Sequence, residues 1–313
     1  MTLPADSCPV CRGRKSELFA HVRDVEYFTT RERFTYLRCR HCQTVYLENP
    51  PVTRLHEIYP ANYYSANSDF NQSLLHRVKD ALERRMFGKI LKRIPGDSLS
   101  VLDVGGGYGW MLNTIREADD RIRETFVLDF DESARQRAEA AGHVFYASRV
   151  EEFSSPRSYD LIVMLNIIEH VADPLRVMKV MSEVLSLEGA ILIKTPNVDT
   201  LDRYLFQHRN WAGFHCPRHF VLFNRSNFTR LIRQCDLEME WFSYTQGASQ
   251  WTGSILGMLA DRRLISCHKG RSVYEHPLWV PVATLAAAFD ILRAPVSKTA
   301  QMFCLVKKRA GIH

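Results

Sequence analysis

The chain has 313 residues, 46% of them hydrophobic and 24% charged, with a net charge of +6. This excludes a disordered or fibrous protein and leaves room for a full core, about two domains by length alone. The mild positive charge permits an anionic partner without requiring one. The opening "MTLPADSCPVC" lacks the basic and apolar regions of a secretory signal, and no run reaches the ~18 apolar residues of a membrane span, so a cytoplasmic location is expected.

In a reducing compartment the eight cysteines read as ligands or small buried residues rather than disulfides. "CPVC" (Cys8, Cys11) and "CRHC" (Cys39, Cys42) are two CxxC pairs, with strand-like alternation around them in "ELFAHVRD" and "FTYLRCRHCQTVYL". Two such knuckles bring four thiolates to the corners of a tetrahedron, as a structural Zn2+ requires, although the spacer between them is longer than usual. The ion stabilises a ribbon too small for its own core. A redox CxxC would need only one pair, and His41 between two ligands is not expected to be one itself. A zinc ribbon over 1–50 is therefore predicted, ending at "ENPP", where consecutive prolines stop a ladder.

A linker and an amphipathic helix are predicted over 51–95. The Tyr-rich "YPANYYSANSD" is followed by a helix from Ser73 to Ile94, with Leu74, Val78, Leu82, Met86, Ile90 and Ile94 recurring every four residues. Basic residues (Arg77, Lys79, Arg84, Arg85, Lys89, Arg93) lie largely on its other faces, and "PGD" ends it.

"LSVLDV" then reads as a buried strand, "GGGYG" as a sharp turn and "WMLNTIREA" as a helix. Glycines at a strand-to-helix turn let a ligand approach the backbone, and the helix beyond offers free N–H groups. The dinucleotide fingerprint G-x-G-x-x-G needs a glycine where Trp110 stands. The pattern is instead Asp103-x-Gly105-x-Gly107-x-Gly109, and an acid at the strand end suits a cation or a hydrogen-bond donor rather than a pyrophosphate.

This stretch resembles motif I of the class I S-adenosylmethionine (SAM) dependent methyltransferases. "RETFVLDFD" ends in Asp129, where the resemblance implies an acid that holds the two ribose hydroxyls of SAM. Ser158 to Asn197, with "LNIIEHVADP" and "EGAILIKTPN", is similar to the fourth strand, helix and fifth strand of that superfamily. The N-terminal "CPVC…RCRHCQTVYLENPP" and Phe214 to Tyr244 resemble a bacterial subgroup that carries a zinc ribbon ahead of the catalytic domain. Members of that subgroup often act on sugars, glycan intermediates or secondary metabolites. The resemblance implies an α/β fold, a doubly wound Rossmann-like sheet of seven strands over 96–313, preceded by the ribbon. It implies SAM contacts at Asp103, Gly105, Gly107, Gly109, Asp129 and Asn166.

Methyl transfer from a sulfonium is an in-line displacement, so the protein supplies alignment and, for some acceptors, a base. The acceptor side is expected beyond the strand ends: Asn166 to His170, Pro196 and Asn197, and the loop from His215 to His219. His219 is the leading candidate base, with His170 and His215 as alternatives, and the Glu-His pair at 169–170 also reads as a packing element. A second metal on His215, Cys216 and His219 lacks an evident fourth ligand. Tyr63 and Tyr64 are read either as folding over the methionine end of SAM or the acceptor, or as a hinge. An insertion over about 247–298 includes an apolar stretch, 278–292, with Arg262, Arg263, Lys269, Arg271 and Arg293 around it. It suits a helix packed on the domain or on a second copy, or one lying on a membrane surface.

The expected activity is methyl transfer to a small molecule: a sugar, glycan intermediate or secondary metabolite. A ribosomal or transfer RNA methyltransferase with the ribbon as RNA-binding module is the alternative, and a non-catalytic SAM-binding protein a further one. Against RNA, "LNIIEH" lacks the Asn/Asp-Pro-Pro-aromatic pattern associated with base amines, and no aromatic and basic stripe is evident.

Overall fold

The computed structural model describes residues 7–59, 74–208 and 210–309. Three antiparallel strands, β1 (Ser16–Val22), β2 (Phe34–Cys39) and β3 (Val45–Leu47), form the N-terminal ribbon. The long cysteine-containing run is thus two strands with the second CxxC turn between them. The ribbon strands stop before Pro50 as expected, yet the free edge of β3 is covered. It pairs with β9 (Val221–Leu222), which lies just after His219, in the register Tyr46 opposite Val221. That pairing satisfies backbone groups that an open edge would leave bare.

A short helix α1 (Leu55–Ile58) precedes α2 (Leu74–Leu91). The buried side of α2 and its final turn is Phe87, Ile90, Leu91 and Ile94, whereas Leu82 is 63% exposed. A four-residue repeat drifts about 40° per step round a helix of 3.6 residues per turn, so positions one repeat line up need not share a face. The side chains of Leu74, Arg77, Val78 and Lys79 lie outside the described residues, as do Tyr63 and Tyr64.

The larger sheet runs through β4 (Leu99–Val104), α3 (Trp110–Ala118), β5 (Ile122–Asp129), α4 (Arg135–Ala140), β6 (Val144–Ala147), β7 (Tyr159–Leu165), α5 (Pro174–Val184) and β8 (Leu185–Pro196). After α6 (Leu201–Phe206) and β9 come α7 (Arg225–Arg233), β10 (Leu237–Thr245), α8 (Ala248–Asp261), α9 (Trp279–Arg293) and β11 (Gln301–Lys308). The sheet has seven strands in the order β10-β11-β8-β7-β4-β5-β6, with β11 antiparallel to both its neighbours.

Alternation sends successive side chains to opposite faces. Leu161 and Val163 pack with α2 and α3, while Ile162 and Met164 pack with α5, α7 and the ribbon. The ribbon therefore shares one of the two cores.

The insertion forms α8 and α9. Asp290 of α9 is buried and accepts from Gly247 N, Trp251 Nε1 and Arg293 Nε, which pins α9 to α8. The outward side of α9 stays apolar, with Leu285 73% and Leu292 81% exposed. The expectation of a helix packed on its own domain is met on one face only. Among the described residues no helix is long and apolar enough to cross a membrane.

Candidate active site

The parallel strands all end at one edge of the sheet, and the chemistry gathers there. β4 delivers Asp103, buried, and then the glycine turn. Gly105 has φ +69 and a Cβ there would lie 2.2 Å from Ile167 Cδ1, so both backbone and space demand glycine. Gly109, at φ +79, is the residue before α3. Gly105 N donates to Leu128 O at 2.7 Å, and Gly107 N donates to Asp129 Oδ2 at 3.0 Å, which ties the turn to the end of β5. Asp131 N holds the other oxygen of Asp129 at 2.9 Å.

Burial pushes Asp103 up to about 8, and the Asp129 charge pushes the same way. Burial raises Asp129 as well, against its backbone donors. Two carboxylates in one recess repel each other, and a cation or hydroxyl donors would relieve that repulsion. Ile167 and Asn166, the latter at φ +58, follow β7 and close the side of the turn.

Three imidazoles meet next to it. The ring centroids of His170 and His219 are 4.7 Å apart, those of His215 and His219 4.9 Å, and those of His170 and His215 6.0 Å. Their ring nitrogens are fixed by neighbours. His219 Nδ1 lies 2.9 Å from Gly213 O, and His170 Nδ1 lies 3.1 Å from Arg218 O and 3.0 Å from the Tyr59 hydroxyl. A carbonyl only accepts, so in both rings Nδ1 carries the proton and Nε2 the lone pair. Burial pushes His170 down to about 3, with His215 adding to it, and burial followed by His170 pushes His219 down too.

His215 differs, because its Nδ1 is 2.5 Å from Glu26 Oε2, on the loop after β1. Tyr274 of the insertion donates to Glu26 Oε1 at 2.8 Å, so ribbon, loop and insertion meet on one carboxylate.

Glu169 is fully buried. Thr195 Oγ1 donates to its Oε2 at 2.9 Å, while its Oε1 has no hydrogen-bond partner among the described residues and lies 4.0 Å from His219 Nε2. Burial pushes this carboxyl up to about 8. Behind the cluster Arg218, with no exposed side-chain surface, pairs with the equally buried Asp24 at 3.0 Å and lies over the Tyr27 ring. Burial raises Asp24, but Arg218 and donors from Thr29 and Tyr27 outweigh it and hold it below the usual carboxylate range.

At the far end of the ribbon the sulfurs of Cys8, Cys11, Cys39 and Cys42 all lie within 4.8 Å of one another. The Cys8–Cys42 and Cys11–Cys39 separations are both 3.5 Å. Tetrahedral zinc with ~2.3 Å bonds to sulfur puts its ligands ~3.8 Å apart, so the donor set fits. The two knuckles are built alike: Arg12 N donates to Cys8 O and Gln43 N to Cys39 O, both at 2.9 Å, with Arg12 and Gln43 at φ +61 and +63. His41 is exposed, outside the cluster.

The structure thus brings together Asp103, Gly105, Gly107, Gly109 and Asp129 at the turn, places Asn166 after β7 next to Ile167, and gathers His170, His215 and His219 in one cluster. Cys216 is apart from the metal-capable group; it is buried against Tyr36. Asn197 is tied up inside the fold, donating to Asp199 O and Thr299 O. Sequence reasoning missed Glu26, Asp24, Tyr59 and Arg218. The acids of "RDVEYF" were the available signal, two carboxylates in an otherwise aromatic loop. A groove of about 560 Å³ lined by Arg225, Arg233, Trp241 and Arg309 lies along the first half of β10, away from the strand ends.

A family model described as a methyltransferase domain matches residues 70–240, more than half of the chain. No curated protein matches the chain. Similar solved structures include the O-methyltransferase of a trans-AT PKS multienzyme of Brevibacillus brevis in complex with S-adenosyl-L-homocysteine. It is 15% identical over 75% of this chain and 75% of that one, with a TM-score of 0.49. A coclaurine N-methyltransferase bound to N-methylheliamine and SAH is 16% identical over 72% of each chain, with a TM-score of 0.47. The plantazolicin methyltransferase BpumL in complex with SAH is 17% identical over 74% of this chain and 84% of that one, with a TM-score of 0.45. With its family match spanning the turn, the sheet strands β4 to β8 and the histidine loop, the chain belongs to the methyltransferase-domain family and is a class I SAM-dependent methyltransferase.

Proposed function

We propose that the protein transfers the SAM methyl group to a small-molecule acceptor, a sugar, glycan intermediate or secondary metabolite. The observation that carries the reading is the enclosed corner where three histidines from two loops meet at the edge that also bears the glycine turn. Ribbon and insertion wall this corner through Glu26 and Tyr274. A corner of this kind suits a compact acceptor better than a nucleic-acid strand. The basic helix α2 and the turn after it support the same reading, because Arg84 of the helix and Arg93 of the turn are engaged by Glu117 and Glu240.

In this proposal Asp103, Asp129 and the backbone of Gly105 to Gly109 hold SAM, with Asn166 beside the methionine end. The acceptor proton leaves to the histidine corner as the acceptor atom bonds to the methyl carbon and the S–CH3 electron pair stays on sulfur. Geometry ranks His215 ahead of His219 for that role: its Nδ1 meets the Glu26 carboxylate, which orients the ring, whereas the Nδ1 atoms of His170 and His219 face backbone carbonyls. Zinc on the four cysteines holds the ribbon, and hence Glu26, in place.

The test is methyl transfer from isotopically labelled SAM into a cell extract separated into small-molecule, lipid and RNA fractions. His215→Ala should bind SAM normally and lose turnover. Label confined to RNA would overturn the acceptor class, and undiminished turnover in His215→Ala would overturn the role of that residue.

A further inference from the structure

We propose that Glu169, His170 and His219 bind a divalent transition-metal ion, zinc being the candidate to test, at a second site distinct from the four cysteines. The donor atoms of these three side chains lie within 4.8 Å of one another. Their hydrogen bonds suit them to ligation. Carbonyls of Arg218 and Gly213 take the Nδ1 protons of His170 and His219, which leaves both Nε2 lone pairs free. Outer contacts of this type, a ring N–H given to a backbone carbonyl, accompany metal-bound histidines generally. Thr195 Oγ1 fixes one oxygen of Glu169 and leaves the other, Oε1, buried without a partner.

A buried, unsatisfied carboxylate oxygen is costly, and an ion would satisfy it. A proton shared with His219 Nε2 would do so too, but the 4.0 Å separation is beyond a hydrogen bond. Two imidazoles and one carboxylate form the donor set of open zinc and non-haem iron sites. Three protein donors leave a coordination position for water or an acceptor oxygen. The binding itself does not depend on the acceptor class proposed above.

The experiment counts metal on the full chain. Protein saturated with zinc and desalted should carry two zinc ions per chain, and His219→Ala and Glu169→Gln one. In cobalt-loaded wild type, one equivalent should show intense thiolate-to-cobalt charge transfer from the four cysteines. The second should add only weak visible bands without it. Retention of the thiolate band in each variant reports that the ribbon is still folded, and Thr195→Val should weaken the second site by about 10–100-fold. A single equivalent in the wild type, a second equivalent with thiolate character, or a second zinc kept by folded His219→Ala would each overturn the site. Should the variants fail to fold, the wild-type zinc count and cobalt spectrum decide the question alone.

Discussion

Gly105→Ala and Gly107→Ala separate backbone strain from crowding at the cofactor turn. Gly107 has φ +54 with nothing within 4 Å of a built Cβ, so alanine there meets only the left-handed penalty, about 1–2 kcal/mol. Gly105 has φ +69 and in addition brings Cβ to 2.2 Å from Ile167 Cδ1 and 3.0 Å from Cγ1. Overpacking of that kind adds about 1–3 kcal/mol. If the binding-competent turn carries the strain, the free variant relaxes away from it and SAM must restore it. At about 1.4 kcal/mol per tenfold, SAM affinity should fall roughly 5- to 30-fold in Gly107→Ala and roughly 30-fold to several thousand-fold in Gly105→Ala. Ile167→Ala removes both crowding atoms, so the Gly105→Ala/Ile167→Ala protein should regain the crowding part and keep the backbone part. Titration calorimetry with SAM on the four proteins measures the cycle. Equal losses at the two glycines, or no recovery in the double variant, would refute the placement of Ile167 against the turn.

Asp24→Ala strands a fully buried guanidinium and should destabilise the protein by about 3–5 kcal/mol at neutral pH, read by thermal melting. Because Asp24 titrates below its unfolded value, its contribution is present above that value and is lost as pH falls through the folded one, so the gap to wild type should narrow in acid. Asp103 has the opposite sign. Its folded pKa is raised from 3.8 to about 8, so the SAM-free protein should lose stability as pH rises across that window, and Asp103→Asn should remove that slope while abolishing SAM binding in calorimetry. Chelation should unfold the ribbon and lower turnover more than SAM affinity, since the acceptor corner leans on β3 and Glu26 while the glycine turn does not. Leu285→Ser and Leu292→Ser, at 73% and 81% exposure, should change stability by no more than about 0.5 kcal/mol in denaturant titration.

The glycine-turn half of the candidate site was legible as structure because its signals are local. A buried run, clustered glycines and a helical period within twenty residues can hardly be anything but a strand, a turn and a helix, and the CxxC pairs are equally self-contained. The proposed acceptor half was legible only as a list of histidines. What distinguishes His215 from His219 is Glu26, 189 residues away in the chain, and what supports the loop is Asp24, 194 residues from Arg218. No spacing rule reaches across such distances. β9 is two residues long and carries no period of its own; only the open edge of β3 makes it a strand. Leu82 shows the converse limit, a periodicity that reads correctly as a helix yet assigns one of its residues to the wrong face.

Under the proposed function the ribbon is a wall of the candidate active site. β3 pairs with β9, the Tyr36 hydroxyl sits 3.1 and 2.8 Å from the carbonyls of Phe214 and His219, and Arg12 reaches Asp173 at the start of α5. The buried Asp24–Arg218 pair crosses the same seam. A charge pair this deep contributes little net energy when formed but costs several kcal/mol when opened, so it favours one arrangement of ribbon and loop over all partly separated ones. Under the proposed function, zinc on the four cysteines would act at a distance. Four cysteines hold two knuckles, the knuckles hold β2 and β3, and these hold the backbone of the loop that carries His215 and His219. The proposed acceptor corner is then shaped jointly by the ribbon and the catalytic domain, and substitutions in "RDVEYF" should alter acceptor preference while leaving SAM affinity in place.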